Sequence, residues 1–128
     1  MLTEITEGVK ITVVVEYQPY YSNPVQSHFV FTYNITIENC SDYTVHLLRR
    51  HWNISDSNGE TRHVDGEGVV GQQPLLEPGQ SHQYISGCNL KTNIGKMAGT
   101  YLMERIFDGK KIYVKIPEFT MIVPYKLN

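Results

Sequence analysis

Phe29-Val30-Phe31-Thr32-Tyr33-Asn34-Ile35-Thr36-Ile37-Glu38 is the stretch that decides the fold class of this chain. Its odd positions are all large and apolar, and its even positions are Val, Thr, Asn, Thr and Glu. A repeat of two sends successive side chains to opposite faces, which is what a half-buried antiparallel strand requires. The same phase runs from Val9 to Tyr17, where Val9, Ile11, Val13, Val15 and Tyr17 alternate with Lys10, Thr12 and Glu16. Pro19 and Pro24 make the connection between the two a loop, and Tyr17, Tyr20 and Tyr21 are expected to cover one end of the core.

Working outward, a third strand is predicted over 44–55. Its phase slips, because Val45 and Leu47 are odd whereas Leu48, Trp52 and Ile54 are even. A bulge near Leu47-Leu48 accounts for the slip and would re-aim Arg49, Arg50 and His51. Asp56-Ser57-Asn58-Gly59 then reads as a hairpin turn in which Asn-Gly supplies the positive φ angles, followed by a short return strand over 60–64. A turn at 77–80 precedes a strand over 81–86, and 87–99 is expected to be irregular, punctuated by Gly87, Gly95 and Gly99. A hairpin follows, with strands over 100–107 and 111–116 about a turn at Asp108-Gly109. Pro117 should break the last element, which resumes over 119–124 as at a sheet edge. No amphipathic helix is evident. The prediction is an all-β chain, an immunoglobulin or fibronectin type III-like antiparallel β-sandwich of about seven or more strands, forming one domain over 1–128.

Composition narrows the function classes. Eleven Lys and Arg against 13 Asp and Glu give a net charge of −2, without the basic excess that duplex nucleic-acid binding requires. The first residues lack the basic and apolar segments of a signal peptide, and no apolar run has the length of a membrane span. A cytoplasmic protein is therefore expected, without membrane insertion and with Cys40 and Cys88 reduced.

Residues 66–71 read Gly-Glu-Gly-Val-Val-Gly and satisfy G-x-G-x-x-G by pattern. A dinucleotide site needs a helix to leave such a loop, and Pro74 and Pro78 forbid one here. Two ligand readings stay open beside a purely architectural one. Backbone N–H groups of Gly66, Gly68 and Gly71, with Arg49 and Arg50 nearby, would suit a phosphate or nucleotide. Alternatively, His63, Asp65 and Glu67 at period two would suit a divalent cation, although Gly66 and Gly68 argue against a straight strand there. In the architectural reading Val69 and Val70 both enter the core. Trp52 is expected in the core, and one of Arg49 and Arg50 must be partly buried, with Asp56 or Glu104 as its partner. Ser86-Gly87-Cys88 is no nucleophile elbow, and no carboxylates are paired for acid–base work, so no catalytic residues are assigned.

Arg49-Arg50-His51-Trp52, residues 66–74 with Pro78-Gly79, Tyr84-Ile85-Ser86-Gly87-Cys88, and Ile116-Pro117-Glu118-Phe119 together resemble the ApaG family of small bacterial proteins over nearly the whole chain. The resemblance implies a fibronectin type III-like sandwich. It implies an association with cobalt resistance and magnesium efflux, and it brings no catalytic residues. Related domains occur in F-box proteins and in a DNA polymerase-interacting protein, which implies a protein-binding role. The expected function is a non-enzymatic module that binds another protein, with no obligatory cofactor and a homodimer left open. The alternative is a sensor of phosphate, nucleotide or a divalent cation at the Gly-rich loop.

Overall fold

The computed structural model describes residues 1–124. Nine strands and two short 3-10 turns, with no α-helix, make up its regular structure among the described residues. The strands are β1 (Leu2–Thr6), β2 (Val9–Tyr17), β3 (Phe29–Asn39), β4 (Val45–Asp56), β5 (Thr61–Glu67), β6 (Leu75–Leu76), β7 (Ser81–Leu90), β8 (Ile94–Arg105) and β9 (Lys110–Ile122). They form two antiparallel sheets, ordered β1-β2-β3-β7 and β5-β4-β8-β9, with β6 joining β4 beyond the end of β5. The sheets pack face to face as the predicted β-sandwich.

The alternation in β3 is met along its full length, with Phe29, Phe31, Tyr33, Ile35 and Ile37 buried. Between the sheets, Trp52 meets Tyr33 and Phe119 edge-on at centroid distances of 5.3 and 6.0 Å. Such edge-to-face contacts add to what burial alone supplies, and truncating an aromatic in this setting costs about 3–5 kcal/mol. Asn39 is fully buried and fully used. Its amide donates to the carbonyls of Tyr43 and Leu76 at 2.7 and 2.9 Å, and its oxygen accepts from Ser41.

Several expectations are corrected. Residues 87–99 are strand over most of their length, because β7 runs on to Leu90 and β8 starts at Ile94. The glycines there permit close approach rather than breaking the chain: a Cβ at Gly99 would lie 2.2 Å from the His51 carbonyl oxygen on β4. Strand β5 extends past Gly66 to Glu67 instead of stopping at residue 64. Pro117 does not interrupt β9, since it sits at a register shift where Met97 pairs with Phe119 and Gly99 with Ile116, and a bulge needs no ladder N–H from it. In the turn at 56–59 only Gly59 is left-handed, with φ 93°. The tip is therefore a three-residue loop closed by one glycine, not an Asn-Gly type I′ turn. Strand β1, unpredicted, pairs with β2 from Leu2↔Val13 to Thr6↔Val9.

Candidate functional site

The predicted bulge is present, and it organises the region around the Gly-rich loop. Register along β4 and β8 jumps from Leu47↔Met103 to Arg49↔Leu102, which leaves Leu48 as the extra residue. Beyond the bulge the phase is reversed. Arg49, His51 and Asn53 lie on the outer face of the sheet, while Arg50, Trp52 and Ile54 face its partner sheet. The Arg49 and Arg50 side chains thus leave β4 on opposite faces.

A bulge leaves a backbone carbonyl without its ladder partner, and a buried orphan of that kind costs stability. Here the loop after β5 supplies the partners. Leu48 O accepts from the Gly68 N–H at 2.9 Å and from the Gln73 side-chain amide at 2.9 Å. Val69 and Gln72 exchange backbone hydrogen bonds of 2.8 and 3.0 Å about a tight turn whose central residues, Val70 and Gly71, have φ of 46° and 77°. Val69 is buried in the core, whereas Val70 is 62% exposed, so only one of the two valines plugs inward as expected.

Arg50 completes the unit. Its Nη1 donates to the carbonyls of Glu67 and Gly68 at 3.0 and 2.9 Å. Its partners are therefore backbone oxygens, not Asp56 or Glu104. Asp56 accepts from the Lys91 backbone N–H at 2.7 Å, and Glu104 pairs with Lys111 at 3.2 Å. Gly66 makes room for this arrangement, since a Cβ there would meet the Arg50 guanidinium at 2.8–2.9 Å. Gly68 is more tightly constrained. Its φ is 64°, and a Cβ would lie 2.2 Å from the Gln72 carbonyl oxygen, a conformation and a space that only glycine accepts.

These bonds bear directly on the two ligand readings. The amides of Gly68, Val69 and Gln72 are already donating within the protein, so they are not aimed outward at an anion. His63, Asp65 and Glu67 do share the outer face of β5, despite the glycines. Asp65, however, turns to β4, where its carboxylate contacts His51 Nδ1 at 2.7 Å, and the His51 and His63 rings stack at 5.9 Å. Among the described residues no group of three or more His, Cys, Asp or Glu side chains converges as a metal site.

A second feature was not anticipated. On the side where β5 and β7 are the edge strands, the two sheets leave a cleft of about 200 Å³. Arg50, Arg62, Tyr33, Ser86 and Cys88 line it. Arg62 reaches across from β5, with Nη2 2.5 Å from Asn89 O and 3.6 Å from Cys88 Sγ. Burial raises the Cys88 thiol and the Tyr33 phenol above their ordinary pKa values, against smaller lowering by Arg62 at Cys88 and by Ser86 and Arg50 at Tyr33. Behind them the hydroxyls of Tyr84 and Tyr101 are hydrogen-bonded to each other, and burial raises both. Cys40 and Cys88 are both free thiols.

The arrangement of loop, bulge and arginine lies within a stretch that a family model recognises: residues 11–105 match the ApaG domain. The chain belongs to the ApaG domain family. It is 44% identical over 124 residues to a Brucella canis protein called Protein ApaG, covering 97% of this chain and 95% of that one. A Protein ApaG from Azoarcus sp. strain BH72 is likewise 44% identical, over 96% of each chain. The structure superposes on a crystal structure of a Bordetella pertussis protein given the name ApaA, with a TM-score of 0.88 and 40% identity over 91% of this chain and 94% of that one. The ApaG resemblance and the sandwich fold read from the sequence both hold.

The most outward-facing chemistry lies elsewhere, between β2 and β3. Residues 18–28 hold two 3-10 turns, and the expectation that their tyrosines cap the core is corrected. Tyr20 is 96% exposed, Tyr21 74% and Val25 91%, while Tyr17 alone turns in to meet Phe31 at 5.3 Å. Yet the loop is braced. Ser22 Oγ donates to Gln18 O and accepts from Val30 N–H, both at 2.8 Å, and Asn23 and His28 exchange backbone bonds of 2.7 and 3.0 Å. No helix of the described residues is long and apolar enough to cross a membrane.

Proposed function

We propose that the chain is a non-enzymatic cytoplasmic module whose ligand is another protein, docked on the tip of residues 18–28. The observation that carries this is the pairing of braced backbone with exposed apolar side chains. Tyr20, Tyr21 and Val25 stand in solvent on a loop whose own hydrogen bonds fix its shape. Tyrosines carried on a braced backbone supply large contact area with only two side-chain torsions to order and little backbone entropy left to lose, which is how protein-recognition loops gain affinity. An enzymatic reading has no comparable support. The Cys88 thiol is raised by burial, the opposite of what activates a nucleophile.

Residues 66–71 are assigned to architecture, because the Gly68 and Val69 amides and Arg50 Nη1 are bonded to the bulge and to the loop itself. The connection of the family's names with cobalt resistance and magnesium efflux would then run through the partner. A second copy of the chain is one form that partner can take.

Capture of interacting proteins by the tagged chain, compared with its Tyr20→Ser/Tyr21→Ser variant, tests the proposal, with sedimentation run on both for self-association. Both tyrosines are exposed, so the variant should fold normally, within about 0.5 kcal/mol. Loss of one reproducible partner, or of the dimer, is the expected result. An identical set of partners and an identical mass for the two proteins would reject the loop as the docking surface.

A further inference from the structure

We propose that the cleft between the β5 and β7 edges is an anion site, in which Arg50 and Arg62 take one tetrahedral oxyanion of the phosphate type, as the free ion or as the end of a small phosphomonoester. This goes beyond the protein-docking proposal and uses none of its residues.

The cleft is lined by two guanidinium groups, the Ser86 and Tyr33 side chains, the Cys88 thiol and apolar walls, and by no carboxylate. Neither arginine forms a salt bridge among the described residues. The nearby acids are occupied elsewhere: Glu60 pairs with Lys91 at 3.2 Å, and Asp56 accepts from the Lys91 backbone at 2.7 Å.

Each guanidinium carries five N–H donors in a planar fork. Arg50 spends Nη1 on the Glu67 and Gly68 carbonyls, and Arg62 spends Nη2 on Asn89 O and the Cys88 sulfur. Nε and Nη2 of Arg50, and Nε and Nη1 of Arg62, have no protein acceptor among the described residues. Two part-spent forks beside a shared hollow suit bidentate contacts to a compact oxyanion.

The architecture holds Arg50 in place for such a role. The bulge at Leu48 turns it inward, and Gly66 vacates the space its guanidinium occupies. The neutral hydroxyls beside it add donors without adding negative charge. Size selects the ligand class, because about 200 Å³ is below the roughly 300–1,000 Å³ of sites that enclose drug-sized molecules. A phosphate fits this description, and a whole nucleotide does not.

The experiment is a titration of the full chain with sodium phosphate, followed by amide ¹H–¹⁵N spectra, against sodium chloride at matched ionic strength so that screening is held constant. Glycerol 3-phosphate replaces phosphate in a second arm. The chain, Arg49→Gln and Arg62→Gln are run in parallel. Arg62 is exposed, so its replacement should leave the fold intact, which the spectra themselves verify. The proposal predicts saturable shifts at residues 86–89, kept in Arg49→Gln and weakened about tenfold or more in affinity in Arg62→Gln. Response to phosphate alone identifies the free ion as the ligand, and response in both arms identifies a phosphomonoester end. No saturable shift in either arm, shifts confined to residues 66–72, or undiminished binding by Arg62→Gln would overturn it.

Discussion

Two loops of this molecule are both tied down by hydrogen bonds, and they direct their chemistry in opposite senses. In residues 66–73 the polar groups turn inward. Gly68 N–H and the Gln73 amide serve Leu48 O, two carbonyls serve Arg50, and Val69 anchors in the core. In residues 18–28 hydrogen bonds within the loop and to Val30 fix the backbone, and the large side chains are turned out, with Tyr20 and Val25 more than nine-tenths exposed. The difference teaches that a conspicuous sequence motif and a recognition surface need not coincide. The glycines are demanded by close packing around a bulge, whereas the tyrosines are demanded by nothing inside the protein.

The sharpest way to break this comparison is at Gly68. Valine there must adopt φ 64° and place its Cβ 2.2 Å from the Gln72 carbonyl oxygen. Gly68→Val should cost about 2–4 kcal/mol, seen as a lower midpoint in urea unfolding. A stability within error of the parent chain would mean that the loop is not architectural.

Next in size is Arg50. Arg50→Leu removes charged donors from two carbonyls, and should cost about 1–3 kcal/mol by the same unfolding measurement. The mirror substitution Arg49→Leu, on the outer face, should change little.

The smallest effect has the opposite sign. Val70 is a β-branched residue at φ 46°, a strained conformation that Asn accepts more readily. Val70→Asn should therefore stabilise by up to about 1 kcal/mol, read as a rise in Tm. Destabilisation would show that the exposed Val70 side chain contributes packing not apparent in its surroundings.

How much of this was legible beforehand follows from which forces the sequence records. Period-two alternation in β2 and β3 exposes the inner face of one sheet directly, and the phase slip from Leu47 to Trp52 exposes the bulge. The first half of β8 was missed because Gly95 and Gly99 look like punctuation. Their absent side chains in fact let β8 lie against β4, a demand that arises only between strands distant in sequence. The same limit hid the role of Gly66, which depends on Arg50 sixteen positions earlier. Tyr20 and Tyr21 were misplaced for the reverse reason: aromaticity suggests burial, and nothing in the local pattern says that the core is already filled. The cleft could not be read at all, because Arg62 and Asn89 meet only after the sheets have packed.

The most direct test of the central contrast is partner capture with three proteins side by side: the parent chain, Tyr20→Ser/Tyr21→Ser, and Val70→Asn. Retention of the partner by Val70→Asn with its loss from the tyrosine variant is the predicted outcome. Loss from Val70→Asn with retention by the tyrosine variant would place recognition on the Gly-rich loop and contradict the account.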